Sequence, residues 1–142
     1  MKGKTIIILI LAALFVFGFS DKIYAETASE QAAVSASKMW LNLVDEGRYL
    51  ESWDEASELF KEMVTREQWQ VTIKIARGPY GNVVSRTLKS TQYANSLPGA
   101  PDGEYVVVQY ETSFENKKSS IETVTPKLDK DGNWRVSGYY IK

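Results

Sequence analysis

The chain has 142 residues and a formal net charge of −1, and it contains neither histidine nor cysteine. The absence of both residue types excludes an imidazole base, a thiolate nucleophile, the usual zinc ligands and disulfide cross-links. A mildly acidic chain is also a poor nucleic-acid binder, because it lacks the positive surface that neutralises phosphates. Any chemistry must therefore rest on Asp, Glu, Tyr, Lys or Ser, and no cofactor is predicted.

The amino-terminal segment has the layout of a secretory signal peptide. Lys2 and Lys4 precede an apolar run from Ile6 to Phe19, and a short polar stretch then ends at Ala25. The apolar run is shorter than the roughly 20 residues that cross a bilayer as a helix, which favours a cleaved signal over a permanent anchor. Residues 1–25 are therefore predicted to be a signal peptide.

Residues 26–142 are predicted to form a single domain that is stabilised by its apolar core alone. Removal of the signal takes away three lysines and one aspartate, so the formal charge of the mature part becomes −3. The 117 remaining residues are the usual size of one domain. The expected location is the periplasm or the medium, without membrane contact after cleavage. Ile23 is large for the position three residues before the cut, so an uncleaved amino-terminal anchor is the alternative.

Three helices are predicted in the first half of the mature chain. The first begins at the capping box Thr27-Ala28-Ser29-Glu30 and ends at Gly47, which can adopt the left-handed conformation. An amphipathic stripe from Tyr49 to Met63 predicts a second helix. Another capping box at Thr65 begins the third, and Gly78-Pro79 ends it. The aromatic residues of these stripes are interpreted as core.

Beyond Gly81 the apolar period changes from about 3.6 to 2, which predicts strands. The four predicted strands are Val83–Tyr93, Tyr105–Phe114, Ile121–Leu128 and Trp134–Ile141. The segment from Asp129 to Asn133 is interpreted as a hairpin turn and not as a calcium loop, because Tyr140 stands where the bidentate glutamate belongs. The fold class is therefore α+β, with three helices packed on one face of a curved four-stranded antiparallel sheet.

Side-chain alternation predicts which strand residues face the helices. The apolar sets on this inner face are Val106, Val108, Tyr110 and Phe114 in the second strand, and Trp134, Val136 and Tyr140 in the fourth. The third strand can bring Val124 to the inner face only if Glu122 also points inward. In the first strand, the apolar residues Val84 and Leu88 flank Arg86 on the same side of the strand. If they face inward, Arg86 is predicted to point inward as well. A carboxylate and a guanidinium on an apolar face are the polar anomaly of this sequence.

Two interpretations of the charged pair stay open. An isolated buried charge is costly, so Arg86 and Glu122 are expected to pair with each other, with tyrosine hydroxyls or with a ligand. In the first interpretation they form a structural ion pair near the rim of the sheet. In the second they anchor a ligand-binding pocket that has Trp40, Tyr110 and Tyr140 in its wall. A one-residue slip of the third strand would turn the carboxylate to solvent instead.

Several segments of the mature chain carry a family resemblance. They are Trp40 to Tyr49, Ser52-Trp53, Arg77 to Gly81, Leu97 to Val106 and Asp131 to Tyr140. They resemble an exported bacterial family known as domain of unknown function 4019, over essentially the whole mature chain. The resemblance implies a bacterial envelope or secreted protein, but no activity. The order of helices and strands also resembles the cystatin-like fold of nuclear transport factor 2 and ketosteroid isomerase, which hosts both enzymes and binding modules.

Two functions from different classes are compatible with these observations. The favoured one is a non-catalytic module that holds a small amphipathic ligand between sheet and helices, or docks an envelope protein on the outer sheet face. The alternative is a small acid–base enzyme of the ketosteroid isomerase style, in which Glu122 is the general base and Tyr110 or Tyr140 donates a hydrogen bond. A homodimer through the outer face stays open, with a predicted patch of Tyr105, Val107, Tyr139 and Ile141.

Overall fold

The computed structural model describes residues 27–142, and the predicted signal peptide lies outside the described residues. The helices are α1 (Ala28–Asp45), α2 (Tyr49–Asp54), α3 (Glu58–Met63) and α4 (Arg66–Arg77), followed by a 3₁₀ turn at Gly78–Tyr80. The strands are β1 (Val83–Ala94), β2 (Tyr105–Phe114), β3 (Lys117–Leu128) and β4 (Trp134–Ile141). The predicted α+β class is confirmed. Within residues 27–142, every helix is too short or too polar to span a membrane.

Side-chain caps fix the ends of α1 and α4 where the sequence predicts them. The hydroxyl of Thr27 accepts a hydrogen bond from the amide of Glu30 at 3.2 Å. Thr65 and Gln68 form a complete capping box, in which each side chain bonds the backbone amide of the other. After α1, Gly47 adopts a φ of +74°, the left-handed conformation expected of a residue that ends a helix.

The second predicted helix is divided in two at Ser57. This residue has an extended backbone, and its hydroxyl accepts a hydrogen bond from the amide of Phe60 at 3.2 Å. The amide of Ser57 donates to the carbonyl of Val136 in β4 at 2.9 Å. Because that N–H is bonded to the sheet, it cannot form the helical hydrogen bond that would continue α2. Helix α3 therefore begins as a new helix, capped by Ser57. The first half of the described chain therefore has four α-helices where three were predicted.

The four strands form one antiparallel sheet in the order β1-β2-β3-β4. Helix α1 contacts all four strands, and the core lies between it, α4 and the inner sheet face. Strand β3 begins four residues earlier than predicted, because Glu115-Asn116 forms a tight turn that pairs Phe114 with Lys117. This turn sets the register so that Glu122 pairs with Tyr110, and the carboxylate points inward as predicted.

The turn between β3 and β4 is a hairpin turn, as predicted. The amide of Asp129 donates to the carbonyl of Asn133, and the amide of Gly132 donates back to the carbonyl of Asp129, both at 2.9 Å. Gly132 has a φ of +85°, which a glycine adopts without steric cost. The carboxylates of Asp129 and Asp131 both bond Arg135, so the charge of this loop is already paired.

A bulge in β4 reverses its side-chain alternation. Val124 pairs with Tyr139 and Pro126 pairs with Val136, so β4 has one residue more than β3 between these two pairs. Pro126 has no N–H to give to the ladder, and Gly138 lies within the longer segment of β4. Side chains after the bulge therefore point to the face opposite to the one that strict alternation predicts.

The reversal corrects the predicted inner and outer faces at the end of the chain. Tyr139 and Ile141 are buried in the core, and Tyr140 points to the other side of the sheet, so the prediction that Tyr140 faces inward is wrong. Tyr105 is buried as well. Three of the four residues assigned to an outer patch are thus inaccessible, and a homodimer through this face stays a prediction that needs other residues.

Candidate functional site

Arg86 and Glu122 form the ion pair that the sequence predicts. The Nε–H of Arg86 donates to Oε1 of Glu122 at 2.8 Å. The carboxylate is fully buried, whereas the side chain of Arg86 retains 14% of its exposure. The guanidinium therefore lies between the buried carboxylate and the surface, and it can contact solvent or a ligand.

A bulge at the start of β1 changes the neighbours of Arg86. The pairing of β1 with β2 shifts between Val83 and Ser85. As a result Val83 packs against the core and Val84 is 67% exposed, so the prediction that Val84 faces inward is wrong. Arg86 still points inward because it follows the bulge and pairs with the buried Thr112 of β2.

Two further charged residues, Asp45 at the end of α1 and Arg77 at the end of α4, complete the site. Nη1 and Nη2 of Arg86 donate to the two carboxylate oxygens of Asp45 at 2.7 and 3.1 Å. Nη2 of Arg77 donates to the same carboxylate at 2.9 Å, and its Nη1 lies 3.7 Å from the carboxylate of Glu122. We call these four residues the charge network. Sequence reasoning found only the pair contributed by the strands.

The buried carboxylate of Glu122 is bonded on both oxygens. Besides Arg86, Oε1 accepts a hydrogen bond from the hydroxyl of Thr112 at 2.6 Å, and Oε2 accepts one from the hydroxyl of Tyr139. Burial raises the pKa of Tyr139 well above its usual range, and the adjacent carboxylate adds to this shift because it disfavours a second negative charge. Tyr139 is therefore a neutral hydrogen-bond donor at any physiological pH.

Arg77 is the most buried cation of the charge network. Its side chain is 5% exposed, and its guanidinium carbon lies 4.8 Å from the ring centroid of Phe114. Burial lowers the pKa of Arg77, but the electrostatic effects of Tyr139, Glu122 and Asp45 raise it by more than burial lowers it, so the net shift is upward. Among the described residues, its Nε and Nη1 atoms have no hydrogen-bond partner. The network thus contains more donors than its own carboxylates satisfy.

A cleft opens beside the exposed side of Arg86, between α1 and the sheet. It has a volume of about 280 Å³ and is lined by Lys38 and Asn42 of α1, Arg86 and Leu88 of β1, and Tyr110 of β2. We call it the α1–β1 cleft. The hydroxyl of Tyr110 is hydrogen-bonded to that of Ser37 at 2.5 Å, which holds the tyrosine ring against the helix.

Only part of the predicted pocket wall lies in this cleft. Arg86 and Tyr110 line it, and Glu122 lies beneath Arg86. Trp40 does not line it, because its indole N–H donates to the carbonyl of Ser52 at 2.8 Å and its ring packs within the aromatic core. Tyr140 lies on the other side of the sheet, and Tyr139 takes the inward position. Lys38, Asn42 and Leu88 also line the cleft, but they were not among the predicted pocket residues.

A second groove of about 430 Å³ lies between α1, α2 and β4. Its wall includes the apolar Met39, Leu43 and Trp134 together with Trp40. The two arginines at its rim, Arg48 and Arg135, are already paired with acidic neighbours. This groove therefore offers apolar surface but no unpaired cation.

The chemistry open to the site follows from which groups are accessible. A general base needs a lone pair that a substrate proton can reach, and Glu122 has no exposed surface and no unbonded oxygen. Within residues 27–142, no three acidic side chains are grouped so as to hold a metal ion. The accessible groups at the cleft are instead cations, an amide and apolar side chains, which suit binding.

Comparison with known protein families finds a match over most of the chain. Residues 36–139 match the sequence profile of a family described as protein of unknown function, DUF4019. Neither the curated proteins nor the solved structures gave a match, so the likeness to the cystatin-like fold stays a prediction. The matched region is well over half of the chain, and it contains the whole charge network and the α1–β1 cleft. The protein is therefore a member of the DUF4019 family.

Proposed function

We propose that the protein is an exported, non-catalytic module that binds a small amphipathic ligand in the α1–β1 cleft. The observation that supports this is the composition of the cleft wall. The apolar side chain of Leu88 and the ring of Tyr110 adjoin the polar groups of Arg86 and Asn42. Concave sites with an apolar wall and a few convergent polar groups are the usual form of small-molecule sites.

The buried state of Glu122 supports binding over catalysis. In an acid–base enzyme the carboxylate would have to exchange protons with a substrate, but here Arg86 lies between it and the cleft. Both of its oxygens already accept hydrogen bonds from protein groups. The carboxylate is better suited to orient Arg86 than to react.

The size of the cleft limits the ligand and its affinity. Its volume of about 280 Å³ is just below the usual range of small-molecule pockets, which is about 300–1,000 Å³. A ligand that buries about four methylene groups there gains roughly 3 kcal/mol. Without any charged contact this corresponds to a dissociation constant in the millimolar range.

Export is supported by the sequence that precedes the described residues. The basic start, the apolar run and the short polar stretch that ends at Ala25 are the three parts of a cleavable signal. A chain without cysteine also needs no oxidation step to fold after export. We therefore propose that the module acts in the bacterial periplasm or outside the cell.

Ligand-observed NMR with 1-hexanol tests the proposal with a neutral amphipathic probe. We expect saturation transfer from the mature protein to the hexyl chain. Leu88→Trp, which fills the cleft, should abolish the transfer. Ile75→Trp is the matched control, because Ile75 is 56% exposed on α4 and does not line the cleft. Absence of transfer from the wild-type protein to hexanol, or transfer that persists in Leu88→Trp, would contradict a binding site in this cleft.

A further inference from the structure

We infer that the ligand of the α1–β1 cleft carries a carboxylate at one end, and that Lys38 and Arg86 recognise this group. The inference rests on the proposed function and adds the chemical class of the ligand. It is argued from three features of the described residues: the charge of the cleft wall, the unused donors of Arg86 in that wall, and the arrangement of its apolar side.

The first feature is an unbalanced positive charge at the mouth of the cleft. The described residues that line it include two cations, Lys38 and Arg86, and no carboxylate. Arg86 is balanced from behind by Asp45 and Glu122. Lys38 is exposed and forms no ion pair or hydrogen bond with any residue from 27 to 142. The cleft therefore attracts an anion, because its walls confine the field of an uncompensated ammonium group.

The second feature is a surplus of hydrogen-bond donors. A guanidinium has five N–H bonds, and three of those of Arg86 are used by Asp45 and Glu122. Directly behind it, Arg77 shares the carboxylate of Asp45, but its two nitrogens without a hydrogen-bond partner among the described residues are buried and do not line the cleft, so a ligand cannot use them. The acceptors nearest to these arginines are already bonded. Asp45 occupies the edge of the Arg86 guanidinium formed by its two terminal nitrogens, and Glu122 occupies Nε. A ligand carboxylate can therefore accept a hydrogen bond from one free terminal N–H of Arg86 with one oxygen, and its other oxygen can meet the ammonium of Lys38, which lines the same cleft.

The third feature places an apolar surface next to these donors. Leu88 is 36% exposed and pairs across the strands with Tyr110, so the two side chains form one side of the cleft. Asn42 lies one helical turn from Lys38 on α1, and its amide can contact the ligand head from the opposite side. A short alkyl or aryl chain that ends in a carboxylate satisfies both the donors and this apolar side.

The test compares three hexyl compounds that differ only in the head group. Hexanoate, 1-hexanol and hexylammonium are titrated into the mature protein at pH 7 and low salt, and dissociation constants are measured by NMR. We expect hexanoate to bind about tenfold more tightly than hexanol, because charge-assisted hydrogen bonds are the stronger ones. Hexylammonium should bind most weakly. Added salt should weaken the binding of hexanoate and leave that of hexanol unchanged.

Two variants locate the effect. Lys38→Met keeps the aliphatic stem and removes the charge, so the tenfold preference for hexanoate over hexanol should shrink, and only the part supplied by Arg86 should remain. Lys74→Met is the matched control, because Lys74 is exposed on α4 and does not line the cleft. Equal binding of hexanoate and hexanol would overturn the inference and leave the proposed function intact. Absence of binding by all three compounds would overturn both.

Discussion

Substitution of Glu122 by glutamine should strongly destabilise the fold. The side chain is fully buried and accepts hydrogen bonds from Arg86, Thr112 and Tyr139. Glutamine keeps the shape but loses the charge that balances the arginine. Its amide nitrogen also replaces an acceptor by a donor, which then faces groups that are donors themselves.

The magnitude follows from the burial of this ion pair. Removal of one partner from a buried pair costs about 3–5 kcal/mol, because the remaining charge stays in a poorly solvated site. That is a large part of the roughly 5–15 kcal/mol by which a domain is stable. At about 4 °C per kcal/mol for a domain of this size, the melting temperature should fall by about 12–20 °C.

Urea denaturation followed by tryptophan fluorescence measures this effect. Glu111→Gln is the matched control, since Glu111 is exposed on the neighbouring strand β2 and undergoes the same chemical change. The control should change the free energy of unfolding by less than about 0.5 kcal/mol. If Glu122→Gln unfolds within about 1 kcal/mol of the wild type with an unchanged denaturant slope, the charge network does not stabilise the fold as we argue.

Three further predictions test the network, the helix break and the processing of the chain. The pKa of Tyr139 is raised in the folded state, so its contribution to stability is complete below the unfolded pKa of about 10 and is lost progressively as the pH rises from there toward the higher folded pKa. Urea midpoints should therefore fall more between pH 8 and pH 10.5 for the wild type than for Tyr139→Phe, and equal falls would refute this. Ser57→Ala should cost about 1–2 kcal/mol in urea denaturation, because it removes the α3 cap and a buried hydrogen bond to Ser137, and a smaller cost would mean that the cap is dispensable. Mass spectrometry of the intact exported protein should give a chain that begins at Glu26, and the full precursor mass would contradict cleavage after Ala25.

Local patterns in the sequence determine much of this fold. The capping residues Thr27 and Thr65 mark the helix starts, and the change of apolar period beyond Gly81 marks the beginning of the sheet. The inward direction of Arg86 and Glu122 also follows from strand alternation, because Leu88 and Val124 lie two residues further along the respective strands and share the same face. Each of these features depends on residues that are close together in the sequence.

Tertiary contacts decide the features that the sequence did not reveal. The break at Ser57 depends on a bond to β4, 79 residues later in the chain. The inward side chain of β4 is Tyr139 because Pro126 lies in the partner strand and disturbs the pairing there. Pro126 in β3, and Gly138 in the segment of β4 that runs alongside it, were the available signal for this bulge.

Tertiary contacts also explain why Asp45 and Arg77, the half of the charge network contributed by the helices, were not predicted. Asp45 and Arg77 are the last residues of α1 and α4, where the helical stripe no longer indicates a direction. They meet only because both helices end above the same part of the sheet. Lys38 and Asn42 resemble ordinary solvent-facing residues of α1, and it is the position of Leu88 and Tyr110 opposite them that makes a cleft.

The most direct test of ligand binding in the α1–β1 cleft is amide chemical-shift mapping of the ¹⁵N-labelled mature protein with hexanoate. We predict that the largest shift changes cluster at Lys38, Asn42, Leu88 and Tyr110, which surround the cleft from the helix and from two strands. Shift changes that cluster instead around Met39 and the second groove, or that are absent at saturating hexanoate, would contradict the account.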